Sequence, residues 1–185
     1  ASFGTSQIMA MTTAQYSKLG TAQLAGLSST QISSMETIDV VQLTSAQLPK
    51  LTTSQLQGLN LGALRTVQLV SLSSSQVASL SSAQIAALRT DQAQALTSDQ
   101  LGAMGTSQIF ALTTDSLINL STAQLQGLKA SQLAAVATNK LSVLSSNQLS
   151  NLSSAQLSGL SSGQVTALGT DQLASLTSNQ MAMLS

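Results

Sequence analysis

The sequence predicts an all-α solenoid, a superhelix of very short capped helices with one helix per eight-residue repeat. Three observations point to it: a strict period of eight, two apolar columns within each period, and a near-invariant column of Ser or Thr. Glutamines at 7, 15, 23 and 31, at 47 and 55, and from 68 to 108 in steps of eight set the register. With that Gln numbered as the fourth place, residues 4–59 hold seven units and residues 65–184 fifteen, twenty-two in all. Residues 1–3 form a flank, and residues 60–64 form a truncated unit.

Place eight is apolar in all twenty-two units, and place five is aliphatic or Met except at Tyr16 and Ala93. These columns are the expected core. At 100° per residue they lie about 60° apart on one helical face, a narrow apolar stripe. Place two is Ser or Thr in every unit but that of Ala130, which suits a helix N-cap. A helix over places three to eight follows, with Asp91, Asp99, Asp115 and Asp171 at its first position, beside the positive end of the helix dipole. Place one then lies just past the preceding helix, where Gly4, Gly20, Gly105 and Gly169 suit a left-handed end and Arg65, Arg89 and Lys129 suit the negative end of the dipole.

A six-residue helix rises only about 9 Å and is unstable alone, so the units must stack. A continuous coiled coil is disfavoured because eight residues turn the stripe by about 80° per unit. A β-solenoid is the alternative fold: Ser, Thr and Gln suit stacked strands, although places five and eight have opposite strand parity.

Gln fills place four in nineteen units, more often than helix propensity explains. The expectation is a structural ladder, carried for example by Gln76, Gln84, Gln92, Gln100 and Gln108, whose amides bond turn backbone or neighbouring glutamines. The other reading is an exposed amide array facing ice, mineral or polysaccharide. Asp39, Ser116 and Lys140 break the column. Small residues dominate place seven and imply close packing, Pro49 implies a distorted turn, and the missing start of unit 60–64 implies one joined helix from Ser54 to Leu64.

Composition excludes several functions. Lys plus Arg and Asp plus Glu are six each and only 6% of residues are charged, so no basic patch offers the counterion release that drives nucleic-acid binding. With 43% apolar residues the chain should fold. There is no Cys and no His, and no paired carboxylates, phosphate loop or metal cluster. No catalytic residue, cofactor or metal is therefore expected, and the many serines read as caps. No apolar run reaches the roughly 18 residues of a membrane span. Ala1 to Gly4 lacks the basic and apolar regions of a signal peptide, so any export signal is expected to have been removed or to lie elsewhere.

Phe3 and Met9 at one end and Met181, Met183 and Leu184 at the other form a possible end-to-end contact, making a second copy of the chain, or identical repeats, the expected partner. Runs such as Leu80-Ser81-Ser82-Ala83-Gln84-Ile85-Ala86-Ala87-Leu88 and Leu120-Ser121-Thr122-Ala123-Gln124-Leu125 resemble the Leu-Thr-Thr-Ala-Gln-Ile-Ala-Ala tracts of large secreted or surface bacterial proteins. That resemblance implies an extracellular or cell-surface adhesin, stalk or filament component. A binding module and a molecular ruler are the alternatives.

Overall fold

In the computed structural model, which describes residues 4–184, each unit forms one short helical element and the chain coils so that successive turns stack. Among the described residues there are twenty-one α-helices of four to six residues, two 3₁₀ turns and no strand. The fold is an all-α repeat solenoid. No helix among those residues is long and apolar enough to cross a membrane.

Each helix starts one residue earlier than its Ser/Thr column suggests. The N-cap is place one, as in Ser73 before Ser74–Ala78 and Thr97 before Ser98–Ala103, with φ near −70° and ψ near 155–160°. The helix covers place two to about place six. Where place one is Ser or Thr, its hydroxyl generally accepts from the N–H of place four, at 3.2 Å for Ser73 and Gln76 and 3.1 Å for Thr97 and Gln100.

The expected left-handed glycines are accordingly corrected: Gly4, Gly20, Gly105 and Gly169 are extended N-caps, and no described residue has positive φ. Arg65, Arg89 and Lys129 also sit at N-caps. The Arg89 guanidinium donates to the Gly62 carbonyl and binds Asp91 at 3.0 Å, so its place is set by an earlier turn and an adjacent acid rather than by a helix C-terminus. The four aspartates remain in the first helical turn.

The pause between helices is short and extended. In unit 97–104, Met104 at place eight has φ −64° and ψ 151°, and Gly105 at the next place one has φ −75° and ψ 160°. Two extended residues reverse enough direction for the next helix to begin a new side of the coil. Most helices pack on the helix three units further along, as Ser74–Ala78 does on Ser98–Ala103 and Ser82–Ala86 on Thr106–Ala111.

Places five and eight fill the interior. Leu69, Val77, Ile85, Ala93 and Leu101 are fully buried at place five, and Leu72, Leu80, Leu88 and Leu96 join them at place eight. Full burial of a Leu side chain contributes about 1.5–3 kcal/mol, which individual helices of this length need. Place seven meets place two of the unit three earlier. A Cβ on Gly127 would lie 2.7 Å from the Ser98 Cβ, and one on Gly58 would lie 2.7 Å from the Ser29 carbonyl oxygen. Small residues in these two columns let the turns approach.

Pro49 lies in a 3₁₀ turn, Leu48–Lys50, where an α-helix would need the N–H that proline lacks. The joined helix expected from Ser54 to Leu64 does not form. The helix Thr53–Gln57 ends at Gly58, and a separate 3₁₀ turn spans Leu61–Ala63. Burial explains the break: Leu59, Leu61 and Leu64 all enter the core, which one straight helix would not allow.

Candidate functional site: the glutamine ladder

An eight-residue unit with so short a helix leaves backbone groups unpaired at its turn, chiefly the N–H of place one and the C=O of place eight, while the C=O of place five accepts only from the place-eight N–H, as Val77 does from Leu80 at 3.2 Å. The place-four glutamine meets them all. In each of the nineteen Gln units, Oε1 accepts from the place-one N–H three residues before it; the bond is 2.9 Å for Arg89–Gln92 and 2.7 Å for Gly105–Gln108. This is half of a capping box.

The other end of the same amide crosses to an earlier turn. Gln92 Nε2 donates to the carbonyls of Leu64 at 2.7 Å and Leu61 at 2.9 Å; Gln100 donates to Leu72 at 2.7 Å, and Gln108 to Leu80 at 2.7 Å and Val77 at 3.0 Å. From Gln47 onward every ladder glutamine reaches the place-eight carbonyl four units earlier. Helices packed three units apart and amides bonded four units back place between three and four units in each turn.

The five glutamines named from sequence thus sit in one continuous column. Gln92 is fully buried, Gln76, Gln100 and Gln108 nearly so, and Gln84 is half-buried. The amides point into the wall between turns rather than outward, and they bond backbone, not one another. From Gln47 onward these amides do not form an exposed array, whereas Gln7, Gln15 and Gln23 are exposed.

The three departures show what the column requires. Lys140 keeps the inter-turn half, its Nζ donating to the carbonyls of Leu112 at 2.5 Å and Phe110 at 2.9 Å, and it lies 5.5 Å from the Phe110 ring centre. Ser116 keeps neither half: it is buried, its hydroxyl accepts from the Thr113 hydroxyl at 2.9 Å and its N–H donates to that Thr113 oxygen at 3.1 Å, and the side chain is too short to reach the earlier turn. Asp39 is an acceptor when ionised and so cannot serve the carbonyl of Ile8 four units earlier. The Tyr16 hydroxyl donates to that carbonyl instead, at 2.5 Å. Burial, with the nearby Glu36 charge, raises the Asp39 carboxyl above the usual aspartate range; burial and both carboxylates raise the Tyr16 hydroxyl.

The three-residue deletion at 60–64 leaves the ladder in phase. Gln68, Gln76 and Gln84 bond carbonyls 25 residues back instead of 28, still reaching place eight at Leu43, Leu51 and Leu59. The truncated unit lost its cap and kept places five and eight, so it still fills one step of the coil.

Of the residues proposed for end contacts, Phe3 lies outside the described residues. Met9 is 61% exposed, Met181 and Met183 are each 44% exposed, and Leu184 is half-buried. A shallow, mainly apolar groove of about 590 Å³ runs beside Ala83, Ala86, Phe110 and Ala111. No group of three or more His, Cys, Asp or Glu side chains that could hold a metal ion occurs among the described residues.

Fold and ladder together define a repetitive structural solenoid. Residues 1–37, 60–90 and 79–106 match the ALTTAQ repeat family, a little under half of the chain, and the unmatched units keep the same eight-residue pattern. Comparison with curated proteins gives no match.

Proposed function

We propose that the chain is a non-catalytic rigid spacer, a structural element of an extracellular filament, stalk or adhesin at a bacterial surface. The observation that carries the mechanical part is the unbroken inter-turn amide column from Gln68 to Gln108, in which each amide ties its unit to an earlier turn. Repeat arrays gain length by adding units without changing cross-section. Little charge and a surface of Ser, Thr and Ala suit a neutral shaft. The extracellular placement rests on the resemblance of the octapeptide to surface-protein tracts.

Small-angle scattering on the 185-residue chain and on a variant lacking residues 121–152, four whole units, tests the spacer. The expected result is a rod whose longest dimension falls in proportion to the units removed at constant cross-section. A particle that shrinks equally in all directions contradicts it. Surface labelling of producing cells with an antibody tests the location, and label found only after lysis contradicts it.

A further inference from the structure

We propose that the solenoid pairs side by side with a second copy of itself, through the groove beside Phe110 and the nearly uncharged column of stacked helices that carries it. The pairing rests on residues inside the coil and holds whether or not the chain is a surface spacer.

Phe110 stands at place six, where most units carry a small or polar side chain. It is 56% exposed, the only exposed aromatic among the described residues. The Lys140 ammonium lies over its ring, a contact that favours the outward position. The groove beside it crosses three turns. Ala83 and Ala86 come from the helix Ser82–Ala86, Phe110 and Ala111 from Thr106–Ala111, and Ala135 from the end of Ala130–Ala134. These helices stack in one column, so the same face holds an aromatic knob and an apolar socket next to each other.

Charge separates this column from its neighbour. The column continues through Ser154–Leu157, and its units 81–88, 105–112, 129–136 and 153–160 contain one charged residue, Lys129, and no acid. The adjacent column of units 65–72, 89–96, 113–120 and 137–144 contains Arg65, Arg89, Asp91, Asp115 and Lys140. Interface cores are depleted of charge and enriched in aromatic side chains. The Phe110 column has that composition, and the adjacent one has the composition of a solvated face.

A second copy is the occupant that fits. Packed helices repeat at about 8–10 Å, and a partner must share that pitch to set a ridge against a groove at every turn. The same column of another copy shares it by identity. About a two-fold axis beside Phe110, the ring of each copy enters the socket of the other, an isologous contact. Lys129 lies one turn above and then faces unit 81–88, which carries no charge, so the two lysines do not meet. Four helices span about 36 Å along the column and about 12 Å across it, so two faces bury roughly 900 Å² in all. That is the size of a weak, reversible pair, in which one central aromatic dominates the affinity.

Sedimentation equilibrium up to millimolar concentration, with small-angle scattering for the cross-section and circular dichroism as a check on folding, tests this on four chains. These are the unsubstituted chain, Phe110→Ala, Ala86→Arg, which fills and charges the exposed socket, and Val67→Arg, at a 55% exposed site on the adjacent column. The unsubstituted chain should dimerise with a cross-section about doubled and its length unchanged. Phe110→Ala should weaken pairing at least about tenfold, Ala86→Arg should weaken it further, and Val67→Arg should leave it intact, all with unchanged helicity. A chain that stays monomeric at every concentration, whether or not the groove takes up an apolar dye, overturns the proposal. Association at constant cross-section overturns it, as does pairing that survives Phe110→Ala and Ala86→Arg or falls equally with Val67→Arg.

Discussion

Units 65–112 and residues 36–64 are built from the same repeat, yet one is regular and the other carries Asp39, Pro49 and the truncated unit. In the regular stretch every place-four residue is a glutamine spanning two turns, from Gln68 to Gln108. In the irregular stretch an α-helix is replaced by a 3₁₀ turn twice, at Leu48–Lys50 and Leu61–Ala63, without loss of the core positions Leu48, Leu51, Leu61 and Leu64. Local helix quality is thus the tolerant part of the design. What persists through both regions is the burial of places five and eight, while the ladder bonds of residues 36–64 come from Gln47 and Gln55 alone.

Breaking the ladder in the regular region should have the largest effect. Gln92→Glu buries a carboxylate facing the Leu61 and Leu64 carbonyls, and about 3–5 kcal/mol of stability should be lost in chemical denaturation. The same change at Gln7, which faces solvent, should leave stability within about 0.5 kcal/mol. Equal losses at the two sites would erase the distinction between a ladder and a cap.

The defects should respond in the opposite sense. Ser116→Gln supplies a donor for the Leu88 carbonyl and the acceptor for the Thr113 N–H, and should stabilise by about 1 kcal/mol or more. Unchanged or lowered stability would show that the wall has closed over the gap.

Asp39 makes the irregular region sensitive to pH. Its folded-state value is raised, so folding favours the protonated form. The associated stability is fully present below the ordinary value of 3.8 and is lost as pH rises through the raised one. Melting curves across that window should show a decline that Asp39→Asn removes; an identical decline in the variant would assign it elsewhere.

The smallest effects separate packed from open glycines. Gly163→Ala meets nothing within 4 Å and lies in a helix, so it should gain up to about 1 kcal/mol. Gly127→Ala pushes on the Ser98 side chain and backbone and should lose about 1–3 kcal/mol. The two melting shifts should differ in sign.

Much of this was legible in the octapeptide. The period, the two core columns, the small seventh place and the all-α class follow from Leu80, Ile85 and their equivalents, because apolar spacing reports directly on a helical face. The cap was displaced by one residue because Ser and Thr occupy both first places, and place two is the more uniform. The signal for the true cap was Ser or Thr followed three residues later by Gln, as in Ser73 and Gln76. The helix expected over 54–64 does not form because Leu59 and Leu61 must both enter the core, a demand that local helix continuity does not reveal. The acceptors of the ladder lie 25 to 31 residues away, and a single period of eight does not specify how many units complete a turn.

Side-chain amide hydrogen exchange by nuclear magnetic resonance, at a dilution where the chain is monomeric, tests the ladder most directly. The Nε2 protons of Gln92, Gln100 and Gln108 should exchange slowly, each held by a carbonyl of an earlier turn, while those of Gln7, Gln15 and Gln23 should exchange as fast as in a short peptide. One common fast rate for all six would contradict the claim that glutamine amides join the turns.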